Sequence, residues 1–200
     1  INEEGQAYTA DGKVAIARRI FDLAVRHGLR PQDIIFDPLT FTLGTGEEIY
    51  RKVAVETLEG IRRIKVECPG SRTILGLSNC SFGLNPAARQ VLNSVFLHEA
   101  VKSGLDQAIV HAAKIQPLYQ IPEAEQTLAR RLIFDDRTID DPLMSFMALF
   151  QDRKATRGAR SERPETIEEV LEHRIIDGDK KGLAEDLNTA LEKYEALEII

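Results

Sequence analysis

Three places in this chain put hydrogen-bonding or proton-handling side chains where an apolar run stops. They are Asp37-Pro38 after Ile34-Ile35-Phe36, Ser78-Asn79 within Gly76-Leu77-Ser78-Asn79-Cys80-Ser81-Phe82-Gly83, and His111 after Gln107 to Val110. A carboxylate accepts, an amide both donates and accepts, and an imidazole titrates near neutrality, so the three types together can orient a polar ligand and manage its protons. Each has a plainer reading. Asp37 suits a turn ahead of Pro38, and Ser78 and Asn79 suit a cap for the next helix. A lone His111 is more often a satisfied structural histidine than a catalyst. His27, His98 and His173 sit on helical stretches without a partner motif and receive no role. Behind Asp37 lies Leu39-Thr40-Phe41-Thr42-Leu43-Gly44-Thr45-Gly46, a Gly- and Thr-rich loop able to approach a ligand closely.

The elements that carry these residues alternate. Val14, Ala17, Phe21 and Ala24, with Ile20 beside them, recur as the buried stripe of a helix over residues 13–27, which His27-Gly28 ends. The run 33–38 reads as a buried parallel strand. A helix from about Glu47 to Glu67 buries Ala54, Leu58, Ile61 and Ile64, and Cys68-Pro69-Gly70 turns the chain into a strand at 73–77. Pro86 to Ser103 then forms a helix with Val91, Leu92, Val95 and Phe96 inward, stopped by Gly104; a strand comes next at about 107–111, and a helix from about Pro122 to Phe134.

Strand and helix at this spacing mean right-handed βαβ units on a parallel sheet, and in a parallel barrel the C-terminal strand ends form the active-site face. Three strands cannot close a barrel, and the first residue is Ile1 rather than Met, so the expectation is a piece of a larger fold whose other strands lie upstream.

A helix with Leu143, Phe146, Met147 and Phe150 comes next. Arg153 to Glu165, thirteen residues with five basic and two acidic side chains, reads as a linker. Beyond it, Pro164 and Thr166 open a helix with Ile167, Val170 and Leu171, Asp177-Gly178 turns, and Leu183, Leu187, Ala190, Leu191 and Tyr194 stripe a second helix. The expected organisation is therefore 1–152, 153–165 and 166–200. A helical hairpin this small needs partners.

Composition removes several classes. The 200 residues are 43% hydrophobic and 29% charged, enough for a real core, and a net charge of -6 with a pI near 5.3 gives no footprint for nucleic acid. No stretch approaches the roughly 18 consecutive apolar residues of a membrane helix. A cytoplasmic protein is expected. Cys68 and Cys80 are too few and too far apart for a disulfide framework or a CxxC metal site, so reduced thiols are expected.

The run Ile34-Ile35-Phe36-Asp37-Pro38, then Gly76 to Phe82, then Ser94-Val95-Phe96-Leu97-His98-Glu99-Ala100 with Gly104-Leu105-Asp106, resembles the pterin-binding (β/α)8 TIM barrel of methyltetrahydrofolate methyltransferases. Asn2-Glu3-Glu4-Gly5-Gln6-Ala7 looks like the segment after that family's fifth strand. Among these enzymes the resemblance is strongest to the cobalamin-dependent methionine synthases, whose chains continue into a cobalamin module. It covers residues 1–135 well and 165–198 more weakly. On this likeness the chain is an α/β protein, the C-terminal half of a pterin-binding, dihydropteroate synthase-like barrel followed by a linker and the start of a helical cobalamin-binding cap.

The resemblance also implies roles. Asp37 accepts from the pterin N–H groups and orients the ring; Gly76 and Ser78 line the pterin face; Asn79 adjusts to N5 of 5-methyltetrahydrofolate as its protonation changes; Arg89 holds the loop or meets the acidic tail of the substrate. The methyl group passes to cob(I)alamin in methionine synthesis from homocysteine. Cobalamin and homocysteine belong to other modules of the parent chain, and zinc is expected only in the homocysteine module, because neither Asp-x-His-x-x-Gly nor a Cys-rich site occurs here. His111-Ala112-Ala113 departs from the Asn-Ala-Gly common at the family's eighth strand.

Dihydropteroate synthase is the competing enzyme; its Ser-Arg-Lys-Ser-Phe meets Ser78-Asn79-Cys80-Ser81-Phe82, so both basic residues are missing. Two further candidates are a methyltetrahydrofolate:corrinoid protein methyltransferase and a non-catalytic scaffold. Self-association through the apolar faces around Leu183, Leu187 and Leu191 is expected, with neither nucleic acid nor membrane as a partner.

Overall fold

Thr9 starts the first helix, α1 (Ala10–Arg26): its hydroxyl accepts from the Gly12 amide at 3.2 Å, satisfying an otherwise orphan donor. Gly28, at φ +89°, takes the left-handed position just past the end. Val14 and Ala17 are buried and Phe21 and Ala24 pack beside them, whereas Ile20 lies 45% exposed. Lys13 is buried on the same face, against the ordinary expectation for a lysine.

In this computed structural model the described residues are 1–3, 5–151, 153, 166–177 and 182–196. The chain divides into two units, Ile1–Ala155 and Thr156–Ile200.

In the first unit the order continues with β1 (Ile35–Phe36), α2 (Val53–Glu67), β2 (Arg72–Gly76), α3 (Pro86–Lys102), β3 (Gln107–Ile109), α4 (Glu123–Ile133) and α5 (Pro142–Leu149). The strands form one parallel sheet in the order β1-β2-β3, with Phe36 opposite Thr73 and Gly76 opposite Ile109. The β1 ladder is only two residues long, shorter than the 33–38 run, because Pro31–Asp33 turns as a 3-10 helix before it and Pro38 has no N–H to extend it. The second helix starts at Val53 rather than Glu47, since Glu48–Tyr50 winds as a separate 3-10 turn. Asn85, not Ser78 or Asn79, caps α3 by accepting from the Ala88 amide at 2.9 Å.

The core lies on one side of the sheet. Phe36, Thr73 and Leu75 point into it, among Leu58, Ile61 and Ile64 of α2 and Leu92, Val95 and Phe96 of α3. Phe146 and Phe150 close its far end, 4.9 Å apart between ring centres, while Met147 turns outward at 41% exposure. Residues on the other side of the strands are uncovered: Ile35 is 48% exposed, Ile109 is 64% exposed, and Ile74 and Gly76 are half-buried. The strands are thus buried on one face only, which corrects the expectation of a fully buried strand at 33–38.

In the second unit, α6 (Ile167–Asp177) and α7 (Leu183–Leu191) pack together. Thr166 and Glu169 form a reciprocal capping box at 3.3 Å, Arg174 pairs with Asp186, and the Tyr194 hydroxyl donates to Glu168. Ala190 is buried and Leu183 and Leu187 are partly covered, but Leu191 and Tyr194 are exposed. Most of the expected linker, 154–165, lies outside the described residues, as does Gly178 of the expected turn.

Candidate functional site

Parallel strands deliver the residues just beyond them to one edge of the sheet, and Asp37, Ser78-Asn79 and His111 all lie just past the C-terminal ends of β1, β2 and β3. Side chains alternate along a strand, so Ile35, Ile74, Gly76 and Ile109 share the uncovered face. A Cβ built on Gly76 would meet nothing within 4 Å. The space over that residue is open to a flat ligand.

The loops after β1 and β2 are tied to each other. Leu43 N donates to Cys80 O at 2.8 Å, the Thr42 hydroxyl donates to Phe82 O at 2.7 Å, and the Asn79 amide nitrogen donates to Thr40 O. Gly44 is required here, because a Cβ would stand 2.4 Å from the Phe82 carbonyl oxygen. The close approach expected of this Gly- and Thr-rich loop is therefore made to the neighbouring loop's backbone.

Asp37 is exposed, and its Oδ1 accepts from the Leu39 amide at 2.9 Å. This is the turn that its position before Pro38 predicts, and Oδ2 is left to face solvent or a ligand. Leu39 adopts φ +63°, an uncommon conformation for a residue with a Cβ. Its carbonyl receives the Thr57 hydroxyl at 3.1 Å and the Lys13 ammonium at 3.3 Å, and the same ammonium donates to Pro38 O. Lys13 also lies 4.9 Å over the Phe41 ring, which packs against Tyr8 and Tyr50. Burial pulls the Lys13 pKa from its ordinary 10.5 down to about 8, against the opposing pull of the Asp37 and Glu56 carboxylates.

Asn79 is exposed. With one amide hydrogen on Thr40 O it retains a second donor and a carbonyl oxygen that can accept. Arg89 reaches back from α3 to this loop, donating from Nε to the Ser81 hydroxyl at 3.2 Å and from Nη2 to Ser78 O at 3.3 Å. Ser78 itself is exposed, and its carbonyl also receives the Ser81 hydroxyl at 3.1 Å.

Cys80 is wholly buried. Its thiol faces Asn93 Oδ1 at 3.4 Å, and burial pushes its pKa far above the ordinary value. His111 is exposed and enters none of the described side-chain hydrogen bonds.

Sequence reasoning missed Lys13, Thr57 and Thr40. Thr40 is buried with a hydroxyl that lacks a hydrogen-bond partner, and only its place in a Thr-rich loop hinted at it. Among the described residues no group of three or more His, Cys, Asp or Glu is placed to hold a metal ion, and no helix is long and apolar enough to cross a membrane.

Comparison with known proteins adds two findings. Residues 1–111 match the family described as pterin binding enzyme. Over its whole length the chain is 48% identical to a methionine synthase of Mycobacterium tuberculosis and 45% identical to one of Mycobacterium leprae. It spans 17% of the length of each of these relatives.

Proposed function

This chain belongs to the pterin binding enzyme family, and on that footing we propose that it forms the C-terminal half of the folate barrel of a cobalamin-dependent methionine synthase, ahead of the first helices of a cobalamin-binding cap. The observation that carries this reading is the one-sided sheet. An uncovered face with Ile35, Ile74 and Ile109, ending at an open Gly76 beside the Asp37 and Asn79 loops, is what the interior and mouth of a barrel become when the remaining strands are supplied by the rest of the protein. The relatives' greater length supports such a parent chain.

In this reading the pterin ring lies over Gly76, and its N–H edge donates to Asp37. The methyl group leaves N5 only if the charge developing on that nitrogen is met by a proton or a strong hydrogen bond. Asn79 supplies the second: its remaining N–H donates to N5 as the methyl departs, and its carbonyl accepts once N5 is protonated from solvent. Arg89 keeps the Ser78 to Ser81 turn in place, so that Asn79 is presented rather than free to swing.

When bound, cobalamin in its cob(I) state would supply a nucleophile for the methyl group. The chain lacks the Asp-x-His-x-x-Gly series that would hold the corrin, so that group belongs to another part of the parent protein.

The dihydropteroate synthase reading is weaker. The position of its lysine is occupied by Cys80, which points into the core, and no cation replaces its arginine at Asn79.

The test is calorimetric titration of 5-methyltetrahydrofolate into the full-length protein, this chain, and the Asn79→Ala variant of each. Loss of one hydrogen bond at a reacting nitrogen predicts binding weakened about tenfold in the variant. Binding to the full-length protein alone would assign indispensable contacts to the other strands, and binding to neither would end the folate reading.

A further inference from the structure

Lys13 is a buried charge that this mechanism does not use. It is 5% exposed, projects from α1 beneath the loop after β1, and enters no ion pair among the described residues. Gly60 of α2 makes room for its stem, since a Cβ there would stand 3.1 Å from Lys13 Cδ. A buried ammonium is unfavourable unless its hydrogen bonds and field are used, and an apolar side chain of the same length would fill this channel at less expense. What the ammonium does is specific: it holds the carbonyls of Pro38 and Leu39, the two residues that come directly after Asp37. Those carbonyls fix the turn whose Leu39 amide anchors Asp37 Oδ1, with Leu39 kept in its left-handed conformation.

We propose that Lys13 is a positioning residue for the pterin site, its ammonium fixing the Pro38-Leu39 turn so that the Asp37 carboxylate stays aimed at the ligand's N–H edge. This rests on the reading that the pterin sits at Asp37.

The charged groups facing Lys13 are Asp37 from the loop after β1 and Glu56 from α2; Glu56 also accepts from the Ala10 amide at 2.6 Å. With a pKa of about 8, Lys13 carries its full charge below that pH and loses it as pH rises through it. Affinity for the pterin is therefore highest below about pH 8 and falls above it. Glu56 helps keep the proton on Lys13, so its removal shifts the fall to lower pH.

The experiment is calorimetric titration of 5-methyltetrahydrofolate into the full-length protein from about pH 7 to about pH 9, a range that brackets the shifted lysine. Wild type, Lys13→Met, Glu56→Gln and Asp37→Asn are compared. The expected result is a wild-type affinity that drops as Lys13 deprotonates, and a Lys13→Met affinity about tenfold weaker at the lower pH, the worth of one charge-assisted hydrogen bond, with a flat profile. In Glu56→Gln, where Lys13 remains and the glutamine can still accept from Ala10, the midpoint moves down.

A flat wild-type profile, or a midpoint unmoved in Glu56→Gln, overturns the proposal even if Lys13→Met fails to fold. A Lys13→Met affinity and profile matching wild type also overturns it. Failure of the underlying site reading looks different: Asp37→Asn then binds as wild type does.

Discussion

Two glycines near the candidate site do opposite jobs, and that difference can be tested one residue at a time. Gly44 has no room for a Cβ, which would sit 2.4 Å from the Phe82 carbonyl oxygen, so Gly44→Ala should force apart the two loops that carry Asp37 and Asn79. Gly76 has room and an ordinary φ of -75°, so Gly76→Val should fold with an unchanged thermal midpoint. Its branched side chain would nevertheless occupy the space over the sheet where the pterin ring is proposed to lie. The expected outcome is folate affinity weakened more than about tenfold in Gly76→Val without loss of stability, the steric counterpart of the overpacking penalty seen in closed sites. Equal affinity in calorimetry would move the ligand away from this face. For single residues the sequence was informative about strand ends, because apolar runs that stop at Asp37 and Ser78 mark where a sheet ends. Lys13 was illegible: a lysine among apolar positions at helical spacing reads as a solvent-facing neighbour, and nothing local reveals carbonyls 25 and 26 residues away.

Asn85 links two elements. Its carbonyl oxygen caps α3 through the Ala88 amide, and its amide donates to Phe150 O at 2.7 Å, tying the end of α5 to the start of α3. Asn85→Ala removes both bonds and should lower stability in urea by about 1–2 kcal/mol, the sum expected for a cap and one partly buried hydrogen bond. No measurable loss would mean that water replaces both. The helices themselves were readable from the 3.6-residue recurrence of Val14 and Ala17, of Leu58, Ile61 and Ile64, and of Leu92, Val95 and Phe96, all buried. Element starts were less so. The 3-10 turns at Pro31–Asp33 and Glu48–Tyr50 have no periodicity long enough to separate them from the strand and helix they precede. Met147 and Ile20 show the opposite failure, being apolar residues on otherwise readable helices that are left 41% and 45% exposed.

For the molecule as a whole, the consequential fact is how much apolar surface stays uncovered. The open side of the sheet carries Ile35 and Ile109, and the second unit separately exposes Leu191 and Tyr194. The isolated chain is therefore expected to self-associate at micromolar concentration, through these faces or through the unpaired outer edges of β1 and β3. Sedimentation velocity decides it, and a clean monomer would count against the expectation. The overall α/β plan was legible because strand and helix patterns alternate, whereas the one-sidedness of the sheet was not, since Ile35 and Phe36 are equally apolar in sequence and only the covering helices distinguish them.

The order β1-β2-β3 also has a kinetic meaning. β2 and β3 each pair with the strand made just before them, across a single α-helix, so neither of these two pairings waits for a distant segment. Loop-closure entropy is then lost in small steps, and each strand-helix unit can dock on its predecessor as the chain leaves the ribosome. The Asp37 and Asn79 loops can thus be tied together as soon as β2 has paired with β1, without waiting for β3.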